Sequence, residues 1–511
     1  MSNIASDNLH KLIKSMSKPE KRYFKVFSSR HIIGEENNYQ VLFDAIDKQE
    51  EYDEEKLLKR FKDKGFVRRF SIAKNRLYSA ILKSLDSFHS NSSVEAQLHR
   101  QIHSAEILYH KSLYDQSLKL LHSARKVAAD HEMWTILAEI SKWEKKIWEK
   151  NQYEDLRSDE ELQQKFEEDS RIVHQMQLIN ELWHLKSKLF FTLYRGGKAR
   201  NEEEVKHLKQ IIDKTAGESK LQQSIEAIYL LNHLYSAYYF GLGDYASSYP
   251  YLEKNIALID KENHLFVEEP GIYLSLITNA IYVGSRLGKW KESQKLLEQL
   301  NLWASRNNDE YNEDFQLRLF AIRYSTELTL CTQSGDFKRG LELIPEIIAG
   351  LRKHNEHLSS VRKAHLYFHI AVIYFGSENY HEALRWTNKL LNDVEIDKSK
   401  DIHCMAQLLN LIVHLELKND DLLPYALRST QRFLQTRNKV FKVEEVMLDF
   451  INNTQKKRAP KDALLVYREL YDALEPLKKD TFERNAFEYF DFLAWAKSKA
   501  FGETFSTAIV A

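Results

Sequence analysis

Glycine and proline are scarce in this sequence, with 15 glycines and 7 prolines among 511 residues. β-Sheet proteins need these residues at regular intervals for their turns, whereas long helices do not. Apolar residues make up 43% of the chain and charged residues 29%, which supplies enough apolar side chain for a packed core and argues against a disordered chain. The composition therefore predicts an all-helical protein.

The sequence also lacks net charge, paired cysteines and long apolar runs. Its 74 basic side chains balance 74 acidic ones, so no global field draws the whole chain to nucleic acid or to a membrane. The two cysteines, Cys331 and Cys404, lie in apolar helical patterns, and we interpret them as buried thiols of a reducing compartment. There is no apolar run of about 18 residues and no leader-like N-terminus. These absences predict a cytoplasmic protein with no membrane span.

No catalytic template is found in the sequence. It contains no phosphate-binding Gly-x-x-x-x-Gly-Lys-Ser/Thr, no His-Glu-x-x-His, no Gly-x-Ser-x-Gly and no Cys-x-x-Cys. Two histidine pairs, His99 with His103 and His365 with His369, have the spacing that places both imidazoles on one helix face, as a zinc site requires. Further ligands at suitable spacing are missing, and the alternative is a polar helix face. We expect no enzyme, no metal and no cofactor.

A turn followed by an aromatic residue recurs along the chain. The copies are Ser112-Leu-Tyr114, Gly243-Asp-Tyr245, Gly288-Lys-Trp290, Gly335-Asp-Phe337 and Glu378-Asn-Tyr380. Three residues after each aromatic stands a small side chain, in chain order Ser117, Ser248, Ser293, Gly340 and Ala383. A small residue there lets two helices of a hairpin approach closely, and the aromatic is expected to fill the gap between neighbouring hairpins. The period of about 42–47 residues predicts stacked helix pairs.

This pattern resembles the tetratricopeptide repeat, a helix pair of about 34 residues whose second helix follows a Gly-x-Tyr turn. The best-matching unit carries the repeat's apolar and small residues at Tyr367, Ile370, Ala371, Tyr374, Tyr380 and Ala383. The resemblance covers roughly residues 95 to 435, and the longer period implies longer helices or loops. The whole chain also resembles bacterial proteins with such repeats. The resemblance implies an all-α fold, an α-solenoid of antiparallel helix pairs.

The sequence divides into three parts. Residues 1–92 form an N-terminal helical module of five short helices, near 5–16, 19–30, 37–49, 53–63 and 71–89. Residues 93–500 form the solenoid, which contains a long helix after a Ser158/Glu161 capping box and a turn at Gly196-Gly197. The solenoid ends in capping helices, whose apolar residues are Phe487, Phe490, Phe492, Leu493 and Trp495. Residues 501–511 form a tail.

A basic segment from Lys56 to Lys83 carries ten positive charges against one negative. Its turn at Gly65 precedes a helix that Ser71 would cap, a layout similar to a helix-turn-helix that contacts DNA phosphates. The candidate nucleic-acid patch is Lys64, Arg68, Arg69, Lys74, Arg76 and Lys83. The expected buried stripe of that helix is Leu77, Tyr78, Ile81, Leu82, Leu85 and Phe88. The alternative is a solvated or docked module, because five acids directly precede the cations and complement a helix dipole.

The other candidate site is the surface of the first helices of the pairs. In tetratricopeptide proteins this face holds a peptide or a partner helix, and alignment on the aromatic turn transfers it to candidate peptide-groove residues. These are His233, Phe240, Tyr282, Arg286, Gln333, His365 and Phe368, with Ala237 and Thr329 beside them. Aromatic and polar groups together suit peptide recognition, although several of the aromatics could instead be core. We predict a non-enzymatic scaffold for a protein or peptide or, alternatively, a nucleic-acid-binding regulator with a repeat sensor domain.

Overall fold

The protein is all-helical, as the composition predicts. A computed structural model describes residues 7–29, 38–90, 92–154, 156, 158–215, 224–306, 313–354, 357–397, 401–435, 442–456 and 460–510. None of these residues lies in a β-strand. Successive helices pack against one another, which confirms the all-α solenoid of helix pairs. The chain forms two compact units, residues 1–176 and 177–511. The module boundary at residue 92 stays a prediction.

The described residues of the first unit form eight helices and the beginning of a ninth. Their bounds are α1 Asn8–Ser15, α2 Lys18–Ser29, α3 Asn38–Asp47, α4 Glu54–Arg60, α5 Phe70–Phe88, α6 Val94–His110, α7 Tyr114–Asp130, α8 Trp134–Lys150 and α9 Asp159–Gly196. A 3₁₀ turn, Gly65–Arg69, precedes α5. The five helices predicted for the N-terminal module are α1 to α5, and they share one core that includes Ile13, Phe24, Phe43, Ile46 and Ile81.

The second unit contains the rest of α9 and the following helices. Their bounds are α10 Glu202–Ile212, α11 Ile225–Gly241, α12 Tyr245–Lys261, α13 Pro270–Arg286, α14 Trp290–Arg306, α15 Glu313–Gln333, α16 Phe337–His354, α17 Ser360–Gly376, α18 Tyr380–Asn392, α19 Asp401–Glu416, α20 Leu423–Gln435, α21 Lys442–Lys456, α22 Pro460–Lys479, α23 Phe492–Phe501 and α24 Phe505–Val510. Two 3₁₀ turns are Asn263–Leu265 and Glu483–Glu488.

The recurring turn has one backbone conformation. Each turn contains a residue with positive φ, between 60° and 71°, at Ser112, Gly243, Gly288, Gly335 and Glu378. This left-handed conformation ends the first helix of each pair and favours glycine. Two residues later the aromatic is the first residue of the second helix in every copy. Phe337 is buried as expected, whereas Trp290 is 42% exposed and does not fill a gap.

The small residue after each turn holds the two helices of a pair together. In three pairs it is a buried serine whose hydroxyl donates a hydrogen bond to the carbonyl of the residue twelve positions earlier. The bonds are Ser117 to Ala105 at 2.8 Å, Ser248 to Ser236 at 2.8 Å and Ser293 to Ile281 at 3.3 Å. Gly340 instead permits close contact with the next pair, because an added Cβ there would lie 2.5 Å from the Ile373 side chain of α17. A larger residue at any of these positions would force the helices apart.

Helix length accounts for the long period. Helices α6, α7, α11, α12, α13 and α14 have 17 residues each. Two such helices with their turns exceed a unit of about 34 residues. Helix α9 has 38 residues and begins where the capping box predicts, because Ser158 Oγ accepts a bond from the Glu161 amide at 3.3 Å. The predicted turn after it is present at Gly197, whose φ is 73°.

The C-terminal segment is part of the core of the second unit. Phe487, Phe490, Phe492 and Trp495 are all buried, as the predicted capping role requires. Residues 505–510, which the sequence predicts as tail, form α24, while Ala511 lies outside the described residues. The Phe505 ring stacks on Phe337 at 5.7 Å and on Phe490 at 5.3 Å between centroids. This last helix therefore packs against the repeats as well as its own segment.

Candidate functional site

The predicted nucleic-acid patch is mostly exposed. Arg68 and Arg69 lie on the 3₁₀ turn before α5, and Arg76 and Lys83 lie on α5 itself, all four exposed to solvent. None of the four has an acidic partner at ion-pair distance within the described part of the chain. Lys64 is half-buried at the beginning of the turn. The structure thus places four unpaired cations within one turn and helix.

Lys74 differs from the rest of the patch. Its side chain is 13% exposed and forms an ion pair with Glu54 of α4. The ammonium also donates a hydrogen bond to the Tyr52 hydroxyl at 3.1 Å and lies 5.6 Å from the centroid of the Phe70 ring. Lys74 therefore ties α5 to α4, and its charge is already neutralised.

Two details of α5 differ from the sequence analysis. The helix begins at Phe70 and has no side-chain cap, so Ser71 is its second residue rather than its N-cap. Tyr78, Leu82 and Phe88, which the helical stripe predicts to be buried, are 36%, 44% and 40% exposed. The reason is that the packing partners of α5 cover only a narrow face, centred on Leu77 and Ile81.

The candidate peptide-groove residues lie along helices α11, α13, α15 and α17. We call the side of these helices that carries His233, Phe240, Tyr282, Arg286, Gln333 and His365 the inner face. The Phe240 and Tyr282 rings contact each other across α11 and α13, with centroids 5.9 Å apart. The side-chain amide of Gln333 on α15 is oriented with its nitrogen toward Ser285. Its oxygen then accepts hydrogen bonds from the Arg286 guanidinium at 3.1 and 3.2 Å. These four predicted residues are therefore brought together.

A buried ion pair lies at the centre of this group. Lys198, from the loop after α9, forms an ion pair with Glu488 of the C-terminal 3₁₀ turn, and the two side chains are 12% and 13% exposed. The Lys198 ammonium also contacts the Tyr245 hydroxyl and lies 4.7 Å from the centroid of the Phe240 ring. Burial lowers the pKa of Lys198 to about 8, against the opposing effect of the Glu488 charge.

Glu488 is bound from several sides by the repeats. Its carboxylate accepts hydrogen bonds from the Tyr245 hydroxyl and, at 2.7 Å, from the Tyr282 hydroxyl. Its backbone carbonyl accepts a bond from Arg286 at 2.7 Å. Burial raises the pKa of a carboxyl group, but here the Lys198 and Arg286 charges prevail and keep the pKa of Glu488 below its usual value. The carboxylate is therefore ionised and held by named partners.

The inner face consequently holds a segment of its own chain. Besides Glu488, Arg484 donates a bond to the Gly243 carbonyl at 2.6 Å, and Ser506 donates one to the Gly335 carbonyl at 2.6 Å. Phe368 is 1% exposed, and its ring meets the Tyr489 ring edge-on with centroids 6.3 Å apart. Segment 484–506 thus contacts two of the recurring turns, at Gly243 and Gly335, and covers one end of the inner face.

The other part of the inner face is polar and half-buried. His369 Nε2 lies 3.4 Å from the Thr329 hydroxyl, and the His365 and His369 rings are 6.4 Å apart. Burial, with smaller effects of His365 and Arg286, lowers the pKa of His369 to about 3, and burial lowers the pKa of His365. These imidazoles are therefore neutral at pH 7 and present donors and acceptors rather than charge.

His233 lies apart from this group. Its Nδ1 is 3.0 Å from the Tyr229 hydroxyl, and its ring meets Phe190 of α9 at 5.1 Å. Burial lowers the pKa of His233 to about 4. His233 is therefore a neutral residue between α9 and α11, on the same face but with different neighbours.

The sequence also singles out a histidine pair on α6 and the two cysteines. His99 and His103 lie exposed on α6 beside Glu95 and Glu106. Among the side chains that the structure describes, no three His, Cys, Asp or Glu residues are grouped to hold a metal ion. Cys331 and Cys404 are buried, as expected, and burial raises the pKa of the Cys331 thiol to about 12.

Sequence reasoning missed Lys198 and Glu488. The two residues are 290 positions apart, and neither belongs to the recurring turn. The signal that existed was the sequence Phe487-Glu488-Tyr489-Phe490, where one acid stands within an apolar capping segment. A buried acid needs a cation, so an acid within an aromatic segment indicates a basic partner elsewhere in the chain.

No protein-family model matches the chain, and a search of curated proteins finds no match. Within the described ranges, no helix combines the length and the apolar character needed to cross a lipid bilayer.

Proposed function

We propose that the protein is a non-enzymatic interaction scaffold that binds a protein or peptide segment on its inner face. The observation that carries this proposal is segment 484–506, which the repeats already bind through Tyr282 and Arg286 of α13, Phe368 of α17 and the turn carbonyl of Gly243. Aromatic rings and charged groups act together there, as in peptide recognition. The uncovered part of the face offers half-buried polar groups at Thr329, His365 and His369.

The finer description follows the resemblance in the sequence. We propose tetratricopeptide-like repeats with 17-residue helices, in a protein similar to bacterial repeat proteins. The left-handed turns and the repeated serine bonds support this relationship. The scarcity of cysteine and the burial of Cys331 and Cys404 fit a cytoplasmic location. The proposed role requires no catalytic residue.

Site-specific cross-linking tests the scaffold. A diazirine amino acid is introduced in place of Thr329 on the inner face and, as a control, in place of the exposed Gln294 on the second helix α14. We expect irradiation in the source cells to link a defined protein to position 329 and not to position 294. Equal linkage at both positions, or none at 329, would contradict the proposal.

A second candidate function is nucleic-acid binding by the N-terminal module. It is favoured by the unpaired, exposed cations Arg68, Arg69, Arg76 and Lys83. Each phosphate contact releases counterions, so binding should weaken steeply between roughly 50 and 200 mM salt. Phosphate contacts alone would position the module without specifying a sequence.

Fluorescence anisotropy with labelled duplex DNA and single-stranded RNA tests this candidate. The triple variant R68E/R69E/R76E should lose salt-sensitive binding, whereas the matched variant K119E/K291E/K295E, which reverses three exposed charges elsewhere, should retain it. Equal weakening in both variants would show a nonspecific charge effect and remove the module as a binding site. Absence of binding by the full chain at low salt would have the same consequence.

A further inference from the structure

Two arginines on the inner face form no ion pair with an acid among the residues that the structure describes. Arg318 lies on α15 and Arg362 on α17, at eleven and seven residues before Thr329 and His369, so both project from the side of their helices that carries those residues. Both side chains are half-buried. Neither forms an ion pair with any residue that the structure describes, and Arg318 Nε is buried without a hydrogen-bond acceptor.

Arg318 extends toward the first turn of α13. Its Nη2 lies 3.9 Å from the position that a Cβ on Gly271 would occupy, next to the N-terminus of α13. A helix N-terminus carries partial positive charge and favours anions, so a guanidinium is disfavoured beside it. Burial, and then the Arg318 charge, lowers the pKa of Arg362, while Asp314 opposes this without pairing with either arginine. Among the described residues, no acid forms an ion pair with either arginine, although the Asp314 charge acts on Arg362.

We infer that Arg318 and Arg362 form an anchoring site for carboxylate groups of an acidic partner segment on the inner face. The inference rests on the proposed function, since it names the chemistry of the partner that this face binds. An unpaired charge that is half-buried lowers the stability of the folded protein. Charges of this kind are typical of binding sites, where the ligand supplies the missing partner. Guanidinium groups bind carboxylates through paired, charge-assisted hydrogen bonds.

The other end of the inner face shows the same chemistry in its completed form. There the Glu488 carboxylate lies against Lys198, and its backbone carbonyl accepts from Arg286. The cations at that end are neutralised by a chain segment with an acid among aromatics, Phe487-Glu488-Tyr489-Phe490. At the Arg318 and Arg362 end no segment of the described chain does so. An acidic peptide is therefore the occupant that completes the face, in preference to a basic or neutral one.

Peptide binding to the full chain tests the site. The probes are fluorescein-labelled hexaglutamate, hexaglutamine as the neutral control, and inorganic phosphate as the non-peptide anion. We expect hexaglutamate to bind and hexaglutamine not to bind. The double variant R318Q/R362Q should weaken hexaglutamate binding at least about tenfold, because each charge-assisted hydrogen bond contributes strongly. The matched variant R385Q/R428Q, with two exposed arginines replaced, should bind like the wild type.

Thermal unfolding distinguishes binding from a structural role. Without peptide, R318Q/R362Q should be at least as stable as the wild type, because like charges are removed, and hexaglutamate should stabilise only the wild type. A lower melting temperature for the double variant without peptide would show a structural role and overturn the site. If inorganic phosphate displaces hexaglutamate completely when both supply the same concentration of negative charge, the two arginines form a small-anion site and not a peptide anchor.

The inference and the proposed function can fail separately. If a protein links to position 329 and its binding is unchanged in R318Q/R362Q, the scaffold stands and the acidic anchor is wrong. If hexaglutamate binds through the two arginines but no protein links to position 329, the anion site stands alone and the scaffold proposal fails.

Discussion

Replacing Glu488 by alanine is expected to lower the free energy of unfolding by about 3–5 kcal/mol, as for other buried ion pairs that lose one partner. The variant leaves the Lys198 ammonium buried without its anion and leaves the Tyr245 and Tyr282 hydroxyls without an acceptor. The side chains of Lys198 and Glu488 are 12% and 13% exposed, so water cannot replace these partners fully. The destabilisation would release segment 484–506 from the inner face.

Urea denaturation of the full chain, followed by tryptophan fluorescence, measures this effect. The control is Glu382→Ala, because Glu382 and Arg385 form an ion pair whose side chains are 34% and 74% exposed, and such pairs contribute about 0–1 kcal/mol. The double variant K198M/E488L should recover much of the lost stability, since apolar groups of similar size replace both charges. A loss in E488A no larger than that in E382A would show that Glu488 is not held as described.

The repeats were predictable because their signals are local. A left-handed turn, an aromatic two residues later and a small residue three further on lie within a few positions of each other. The backbone conformation of the turn selects glycine in three copies, and helix–helix contact selects serine, glycine or alanine at the small position. Even Ser112 and Glu378, which depart from glycine, adopt the same φ. Local chemistry of this kind is visible in a single sequence.

The candidate site was predictable only in part. Alignment on the turn identified Phe240, Tyr282, Arg286 and Gln333, which the structure brings together. The periodicity of one helix carries no information about which distant segment covers it, so neither Lys198 nor Glu488 could be assigned. The burial of Phe368 could not be predicted for the same reason. Phe368 packs against Tyr489, and the position of the C-terminal segment cannot be derived from the periodicity of α17.

The exposed stripe of α5 illustrates a different limit. Helical spacing identifies Leu77 and Ile81 correctly as core, and it places Leu82 beside them on the same pattern. Whether the edge of an apolar stripe is covered depends on the number of neighbouring helices rather than on the stripe itself. In the small N-terminal module that number is low, and Leu82 is 44% exposed.

Replacing Gly335 by alanine is the second change with a large expected effect, a loss of about 3 kcal/mol. Two costs add at this position. The φ of 69° is unfavourable for a residue with a Cβ. The new methyl group would also lie 2.8 Å from the backbone carbonyl of Ser506, which cannot move as a side chain can. The Ser506 hydroxyl donates its bond to Gly335 itself, so the clash would displace α24 from the turn.

Gly288→Ala is the matched control, because the same turn there has a φ of 71° and no described atom within 4 Å of the added Cβ. We expect G288A to lose only the backbone contribution, about 1–2 kcal/mol. Hydrogen exchange should separate the two causes: amides of 505–510 should exchange faster in G335A than in G288A. Equal losses of stability and unchanged exchange in this helix would mean that α24 does not pack on the Gly335 turn. A larger loss of stability in G335A, together with faster exchange in α24, would show that contact between α24 and the Gly335 turn stabilises the second unit.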